Sequence, residues 1–214
     1  MSISIEELNH SFDTHQFFEV TFFNDRIETL LTHTPSMVDS WIANIEYLHR
    51  HKLNSLIVGL DLEWRPSFDP TTQIPAAILQ LCVGRNCLIF QLLHSPTIPP
   101  SLSNFLNNPD YTFVGVGIGG DVEKLWLDHG LRVSRSVDLR GLAASVLNRT
   151  DLENARLILL AREVLEKDVE KPIRVTLSRW DSEFLTHAQV QYACVDAFLS
   201  FEIGRTLFSR NYEV

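Results

Sequence analysis

The sequence predicts an α/β fold in which helices flank a mixed sheet. Short apolar runs bounded by turn residues occupy the middle of the chain, and such runs are typical of buried strands. Helical periodicity alternates with these runs and then dominates toward the C-terminus. An alternating apolar and polar segment near the N-terminus predicts a hairpin, which would supply antiparallel strands.

The N-terminal elements follow from turn and helix signals. Residues 16–23 and 26–32 are predicted to pair as the hairpin, with a two-residue Asn-Asp turn at 24–25. Apolar residues then recur at helical spacing over residues 35–48, and Pro35 suits the first turn of that helix. The prediction is therefore an antiparallel pair followed by a helix.

The central and C-terminal elements follow the same two periodicities. Strands are predicted at residues 55–64, 76–83, 87–93, 111–118 and 136–139. Helices are predicted at residues 99–106, from 122 onward, 142–147, 152–165 and 185–208. The last is the longest, and Ser182 and Thr186 are candidates for its N-cap.

Composition predicts one globular domain over residues 1–214, with a core from about residue 18 to 208. Lys and Arg number 18 and Asp and Glu 27, so the net charge is −9, which disfavours binding of duplex nucleic acid by a broad basic surface. No run reaches the ~18 apolar residues that span a bilayer, and the N-terminus resembles neither a secretory signal nor a transit peptide.

Cysteine usage points to a reducing compartment. The three cysteines Cys82, Cys87 and Cys194 are odd in number, which predicts free thiols. Cys82 and Cys87 lie in apolar runs without a nearby Cys/His pair, so we expect them to pack in the core rather than bind zinc. Nucleus and cytoplasm are both compatible with the sequence, which has no Lys/Arg cluster of the nuclear-import kind.

Asp61 and Glu63 form the first candidate site. They end the most apolar strand, and residues two apart in a strand point to the same face. Paired carboxylates repel each other, and a bound divalent cation with its preference for oxygen ligands would relieve that repulsion. Taken alone, Asp-x-Glu is common and favours an ordinary exposed strand end.

Three further residues become informative in combination. Asp121 follows a strand and a Gly-Gly pair, where by itself it predicts only an acid in a helix first turn. Tyr192 and Asp196 lie four apart on the last helix and share a face, which by itself fits a Tyr–Asp hydrogen bond as well as a functional site. Four carboxylates with a phenol one turn from the last are typical of sites that hold paired Mg²⁺ or Mn²⁺ ions for phosphoryl chemistry.

These motifs resemble those of the DEDD 3′–5′ exonucleases. The run at 59–66 (GLDLEWRP) is similar to the family's first motif, that at 114–125 (VGVGIGGDVEKL) to the second, and that at 185–197 to the third. The stretches 77–81 (AILQL) and 137–139 match intervening landmarks. Over residues 18–207 the chain looks most like the plant stand-alone Werner-syndrome-type exonuclease domains.

The resemblance implies a ribonuclease-H-like (DnaQ-like) fold and hydrolysis from the 3′ end of DNA or RNA. It implies that two divalent ions, Mg²⁺ or Mn²⁺, are held by Asp61, Glu63, Asp121 and Asp196. Tyr192, four residues before Asp196 as in the tyrosine sub-type, would orient the attacking water.

Further residues are weighed as substrate contacts. The resemblance implies that apolar residues at the positions of Leu62 and Trp64 wedge against the terminal base. We expect Trp64 instead to point away from Leu62 and pack in the core. A larger set of cations near the motifs is expected mainly to be solvated, with one or two members contacting a phosphate: Arg65, Lys124, Lys171, Arg174 and Arg179.

Two alternatives remain open on the sequence. The stretch 148–163 carries interspersed acids where relatives are more basic. The hypothesis of a non-catalytic nucleic-acid-binding or scaffold protein of the same fold therefore remains open. The motifs also do not distinguish an exoribonuclease from a deoxyribonuclease, since they do not read the 2′-hydroxyl. Oligomerisation or a partner protein would have to target the chain to its substrate.

Overall fold

A computed structural model of the chain describes residues 3–8, 13–67, 69 and 73–211. Eight strands are present in the described part: β1 (Ile3–Glu7), β2 (His15–Phe22), β3 (Asp25–Thr32), β4 (Ile57–Glu63), β5 (Ile78–Val83), β6 (Asn86–Phe90), β7 (Thr112–Gly115) and β8 (Ser136–Asp138). Seven α-helices accompany them: α1 (Pro35–Leu48), α2 (Pro100–Leu106), α3 (Ile118–His129), α4 (Leu139–Leu147), α5 (Leu157–Leu165), α6 (Ile173–Thr176) and α7 (His187–Asn211).

The strands form one mixed sheet in the order β1-β2-β3-β6-β5-β4-β7-β8. The pairs β3–β6, β4–β7 and β7–β8 are parallel, and the remaining neighbours are antiparallel. Helices flank this sheet, as the sequence predicts. The most buried strands are β5 and β7, in which every residue is buried, and β4 lies between them.

The N-terminal hairpin forms with its turn one residue earlier than predicted. Phe22 pairs with Asp25, so the two turn residues are Phe23 and Asn24 rather than Asn24 and Asp25. Phe23 has a φ of 55°, the left-handed conformation that tight hairpin turns require. Arg85 also donates to the Asp25 carboxylate at 2.6 Å, which ties this strand start to the neighbouring β5–β6 turn.

Two elements were not predicted, and one helix is shorter than expected. β1 pairs with β2 at the sheet edge, although its sequence ISIEE is too short and acidic to stand out. The four-residue α6 lies in a stretch that we interpreted as loop. The helix expected at 152–165 begins only at Leu157, because a 3₁₀ turn at Thr150–Asn154 precedes it.

Helix α7 packs against the middle of the sheet at a glycine. A Cβ on Gly59 of β4 would collide with the carbonyl oxygen of Ala197 and lie 2.7 Å from the Phe201 nitrogen. Gly204 makes a second close approach, where a Cβ would lie 2.9 Å from Val114 Cγ2. Residue 59 therefore has to be glycine for α7 to reach this strand.

The N-terminus of α7 is fixed by a reciprocal cap. The Thr186 amide donates to Gln189 Oε1 at 3.0 Å, and the Gln189 amide donates back to Thr186 Oγ1 at 3.3 Å. This is the capping-box arrangement, so Thr186 rather than Ser182 caps the helix. Gln189 also donates to Ser178 Oγ, which anchors the cap to the preceding segment.

Cys82 and Cys87 pack in the core as predicted, and Cys194 is buried as well. Cys82 and Cys87 are cross-strand partners on β5 and β6, and Thr29 donates to Cys194 Sγ at 3.1 Å. All three are free and buried. Among the helices that the structure describes, none combines the length and the apolarity needed to cross a bilayer.

Candidate active site

The strand β4 presents two carboxylates from the centre of the sheet. Asp61 and Glu63 are partly exposed. Leu60, which precedes Asp61, and Leu62, which lies between the two acids, are buried. The alternation predicted from the sequence is therefore present, with both acids on one face. Asp61 lies opposite Gln80 of β5, so their side chains share that face.

Helix α7 brings the third carboxylate to the same place. Asp196 is 2% exposed and precedes Ala197, the residue whose carbonyl touches Gly59. One carboxylate oxygen from each of Asp61, Glu63 and Asp196 lies within 4.8 Å of the other two. The glycine contact between β4 and α7 thus sets the separation of acids that are distant in the chain.

Burial and mutual repulsion raise the pKa values of these acids. The pKa of Glu63 rises to about 10, first because of burial and then because of the charges on Asp61 and Asp196. The pKa of Asp61 is raised by burial and then by the charges on Asp196 and Asp121. Burial also raises the pKa of Asp196, although Lys171 opposes that rise. Full ionisation of these acids would therefore place more negative charge in the site than its surroundings neutralise.

Asp121 borders the three-carboxylate group without joining it. It lies in the first turn of α3, whose N-cap Gly117 has a φ of 74°. Burial raises its pKa to about 7, and the charge of Asp138 contributes. The Asp121 charge in turn raises the pKa values of Asp61 and Glu63.

Tyr192 lies one turn before Asp196 on the same face of α7. Its hydroxyl accepts a hydrogen bond from Thr176 Oγ1 at 3.0 Å. Burial, and then the Asp196 charge, raise the pKa of the phenol above its ordinary value. The phenol therefore keeps its proton at neutral pH, and a hydrogen bond from Tyr192 lowers the pKa of Asp196.

Lys171 is the one residue of the centre whose role the sequence did not indicate. Its ammonium forms an ion pair with Asp196 Oδ2 and lies 4.8 Å from the centroid of the Tyr192 ring. Burial alone would lower the pKa of this lysine, but the Asp196 carboxylate raises it. The expectation of a solvated surface charge is therefore wrong, because a short segment turns the side chain inward.

The two candidate substrate contacts, Leu62 and Trp64, lie in environments opposite to those predicted from the sequence. Leu62 is 3% exposed and belongs to the core, so it presents no surface to a base in this structure. Trp64 is 38% exposed, and Lys124 Nζ lies 4.9 Å from the centroid of its ring. The core-packing interpretation of Trp64 is wrong, because β4 ends at Glu63 and the chain turns toward α3.

The remaining basic candidates have diverse environments. Lys124 donates to the Ile74 carbonyl at 2.6 Å and pairs with Asp128, which holds the chain entering β5. Arg65 and Arg179 both pair with Asp181, at 3.3 and 3.5 Å. The fifth, Arg174, is exposed. This leaves few cations directed at the carboxylates.

The residues present fit divalent metal ions. Hard cations prefer oxygen ligands, and the three clustered carboxylates supply them at suitable separations. Both amide atoms of the buried Gln80, which lies opposite Asp61, also find no hydrogen-bond partner among the described residues. Buried polar atoms of this kind are normally satisfied, and a cation with its bound waters would satisfy them.

Comparisons with known proteins agree with this geometry. The family model described as "3'-5' exonuclease" matches residues 36–209. A "3'-5' exonuclease" of Arabidopsis thaliana is 35% identical over 153 residues, which cover 70% of this chain and 52% of that protein. The human "Exonuclease 3'-5' domain-containing protein 2" is 32% identical over 199 residues, which cover 88% of this chain and 32% of that protein. The chain thus spans about half or less of these curated relatives.

Solved structures show the same fold. The exonuclease domain of Aedes aegypti Nibbler aligns with a TM-score of 0.66 and 19% identity, over 86% of this chain and 88% of that one. Escherichia coli RNase D, an exoribonuclease, aligns with a TM-score of 0.66 and 18% identity, over 86% of this chain and 45% of that one. The ribonuclease-H-like fold predicted from the sequence is confirmed.

Proposed function

Because the chain belongs to the 3′–5′ exonuclease family, we propose that it is a metal-dependent hydrolase that removes nucleotides from the 3′ end of a nucleic acid. The observation that carries this proposal is the convergence of Asp61, Glu63 and Asp196 within 4.8 Å, with raised pKa values. Structural acids normally gain a cationic partner or solvent, whereas functional sites retain such unfavourable groups.

Asp61, Glu63, Asp121 and Asp196 would hold two divalent ions, Mg²⁺ or Mn²⁺. When bound, ions of this kind lower the pKa of water and stabilise charge on a leaving oxygen. The clustered trio would form one position, and Asp121 together with Asp61 would form the other. Four ionised carboxylates and two divalent cations have equal and opposite charge, so occupancy of both positions would remove the repulsion that the acids create.

The chain's own groups would orient the reactants. Thr176 donates to the Tyr192 oxygen, and we assign the phenolic proton, which in the metal-free protein lies within reach of Asp196, to the attacking water. A phenol with a raised pKa is a hydrogen-bond donor rather than a base at neutral pH. The water oxygen would bond to phosphorus while the bond to the 3′ oxygen breaks, which releases a nucleoside 5′-monophosphate and a new 3′-hydroxyl.

Trp64 is the better candidate of the two predicted base contacts. Its exposed ring lies beside the end of β4, next to Glu63. Aromatic faces stack on nucleobases of any sequence, and the neighbouring Lys124 adds positive charge. We propose that Trp64 contacts the terminal nucleotide and that Leu62 supports the strand from the core.

The deciding experiment is a gel assay with 3′-labelled and 5′-labelled single-stranded DNA, 3′-recessed DNA and RNA, in Mg²⁺, Mn²⁺ or EDTA. We expect a ladder that shortens from the 3′ end and disappears in EDTA. Asp61→Ala should lose it, whereas Asp151→Ala on the distant surface should keep it. No ladder on any substrate would favour the non-catalytic scaffold, and the preferred substrate would show whether DNA or RNA is cleaved.

A further inference from the structure

Lys171 places a positive charge where the proposed metal ligands converge. Its ammonium contacts Asp196, whose side chain is 3% exposed, while the lysine side chain itself is 27% exposed. Asp61 also acts on this ammonium through its charge, and the Tyr192 ring lies beneath it. The lysine thus neutralises part of the carboxylate cluster from inside the protein.

We infer that Lys171 is a displaceable internal counter-cation, which pairs with Asp196 in the metal-free protein and leaves that carboxylate when a divalent ion binds. This inference rests on the proposed function. A divalent ion held by Asp61, Glu63 and Asp196 would lie within ~2.6 Å of an Asp196 oxygen. An ammonium in contact with that same carboxylate would then repel the ion at short range in a poorly solvated place.

Charge balance points the same way. The four acids can be neutralised by two divalent ions alone, so a retained lysine would leave an excess positive charge in a buried site. Without metal, however, the described centre contains Asp61, Glu63, Asp121 and Asp196 with Lys171 as the one lysine paired with them. The lysine therefore stabilises the metal-free state and opposes the loaded one.

The chain segment that carries Lys171 is built for such a movement. Helix α5 ends at Leu165, its C-cap residue Glu166 has a left-handed φ of 56°, and α6 begins only at Ile173. Among the described residues, the amides of 168–171 donate no backbone hydrogen bond. The side chain can thus move without breaking a helix or a strand.

A cavity beside the ion pair offers the released side chain a place. Its volume is about 130 Å³, and its lining includes Lys171 and the neighbours Val169, Arg174, Tyr192 and Asp196. The lining of the cavity is partly apolar, which suits the methylene chain of a lysine whose ammonium turns to water. Retraction into this space would leave Asp196 free to bind a cation.

Metal affinity tests the inference without measuring catalysis. Calorimetric titration with Mn²⁺ should show ~10-fold tighter binding by Lys171→Met than by the parent. Lys171 and the ion are mutually exclusive partners of Asp196, so removing the lysine removes its competition with the ion. Lys167→Met is the matched control, since Lys167 lies on the same segment but over the Phe23 ring, and it should bind like the parent. Equal affinities of Lys171→Met and the parent would overturn the inference.

A crystal structure of the parent with Mn²⁺ tests displacement directly and does not depend on the folding of a variant. We expect Mn²⁺ on Asp61, Glu63 and Asp196, with Lys171 Nζ more than ~4 Å from Asp196, beyond ion-pair distance. Mn²⁺ in place with the ion pair intact would overturn the inference and leave the exonuclease proposal standing. Absence of Mn²⁺ binding by both the parent and Lys171→Met would overturn both, whereas binding by the variant alone would support the inference.

Discussion

Two groups of acids in this molecule have opposite electrostatic character. On the surface, Arg149 donates to Asp151 at 2.6 and 2.9 Å and to Glu163 at 2.8 Å. These hydrogen bonds lower the pKa of Asp151. In the centre, Asp61, Glu63, Asp121 and Asp196 have raised pKa values.

The difference shows why counting acids does not identify a site. The surface group occupies the stretch 148–163, whose acids we took to disfavour nucleic-acid binding. Arg149 of the same stretch pairs with two of those acids, Asp151 and Glu163, so their charge is partly offset locally. Of the central acids Asp196 is buried and the others are partly exposed, and Lys171 is the cation that pairs with them among the described residues, so an added cation would be needed to neutralise all four.

The largest effect should come from removing one acid from each group, which tests whether the two groups differ in function. Asp196→Asn should lower metal-dependent turnover by at least ~10²-fold, since a bound metal supplies several kcal/mol of transition-state stabilisation. Asp151→Asn should leave turnover unchanged. Initial rates on a labelled 3′ end measure both variants, and similar losses would show that the two groups are not functionally distinct.

The second effect concerns Tyr192 and Tyr111, two described tyrosines that lie beside acids. Tyr192→Phe should slow turnover ~10-fold through loss of one hydrogen bond to the water, with Mn²⁺ affinity unchanged. Tyr111→Phe is the matched control, because Tyr111 donates to Glu46 at 2.9 Å, away from the site. Unchanged turnover in Tyr192→Phe would remove its assigned role.

The third effect is on stability without metal. Asp61→Asn should stabilise the protein in EDTA by ~1–2 kcal/mol, because one buried repulsive charge is removed. Adding Mn²⁺ should reverse the order, since the metal stabilises only the state that binds it. Urea unfolding with and without Mn²⁺ measures this, and a variant less stable than the parent in EDTA would show that the acids are not in conflict.

The fourth effect is the pH dependence of the stability of the metal-free protein. The pKa of Glu63 is raised from 4.5 to about 10, so between these values the native state holds a proton that the unfolded state has released. The metal-free protein should therefore lose stability as pH rises through that window, and Glu63→Gln should flatten the slope. Unfolding in EDTA at several pH values checks this, and parallel slopes would contradict it.

The smallest effect should come from the surface group. Arg149→Ala removes both of its ion pairs, but exposed pairs are screened by solvent. The melting temperature should fall by less than Asp61→Asn raises it in EDTA, and the difference should disappear at high salt. A salt-independent loss would instead indicate that this group is structural.

Strand and helix periodicity predicted which candidate residues lie on a common face, whereas their assignment as one site came from the combination of motifs and from the family resemblance. Alternation along β4 placed Asp61 and Glu63 together, and the four-residue spacing on α7 paired Tyr192 with Asp196. These patterns work because a regular element fixes the direction of each side chain. The mixed sheet followed from the same periodicities.

The features that could not be predicted lie in segments without regular secondary structure. Lys171 lies outside regular structure, so no periodicity relates it to Asp196. Trp64 lies just beyond β4, where alternation no longer applies, and its exposure was therefore misjudged. The hairpin turn moved by one residue because pairing along both strands, rather than the Asn-Asp pair, selects the register.

The contact between Gly59 and α7 also has a consequence for how the protein folds. The strand and the last helix come from opposite halves of the chain, so this contact closes a long loop and is expected to form late. A folding intermediate that lacks it would keep Asp61 and Glu63 on their strand but would not have Asp196 beside them. Uptake of a divalent ion during refolding would then report when the final topology has formed.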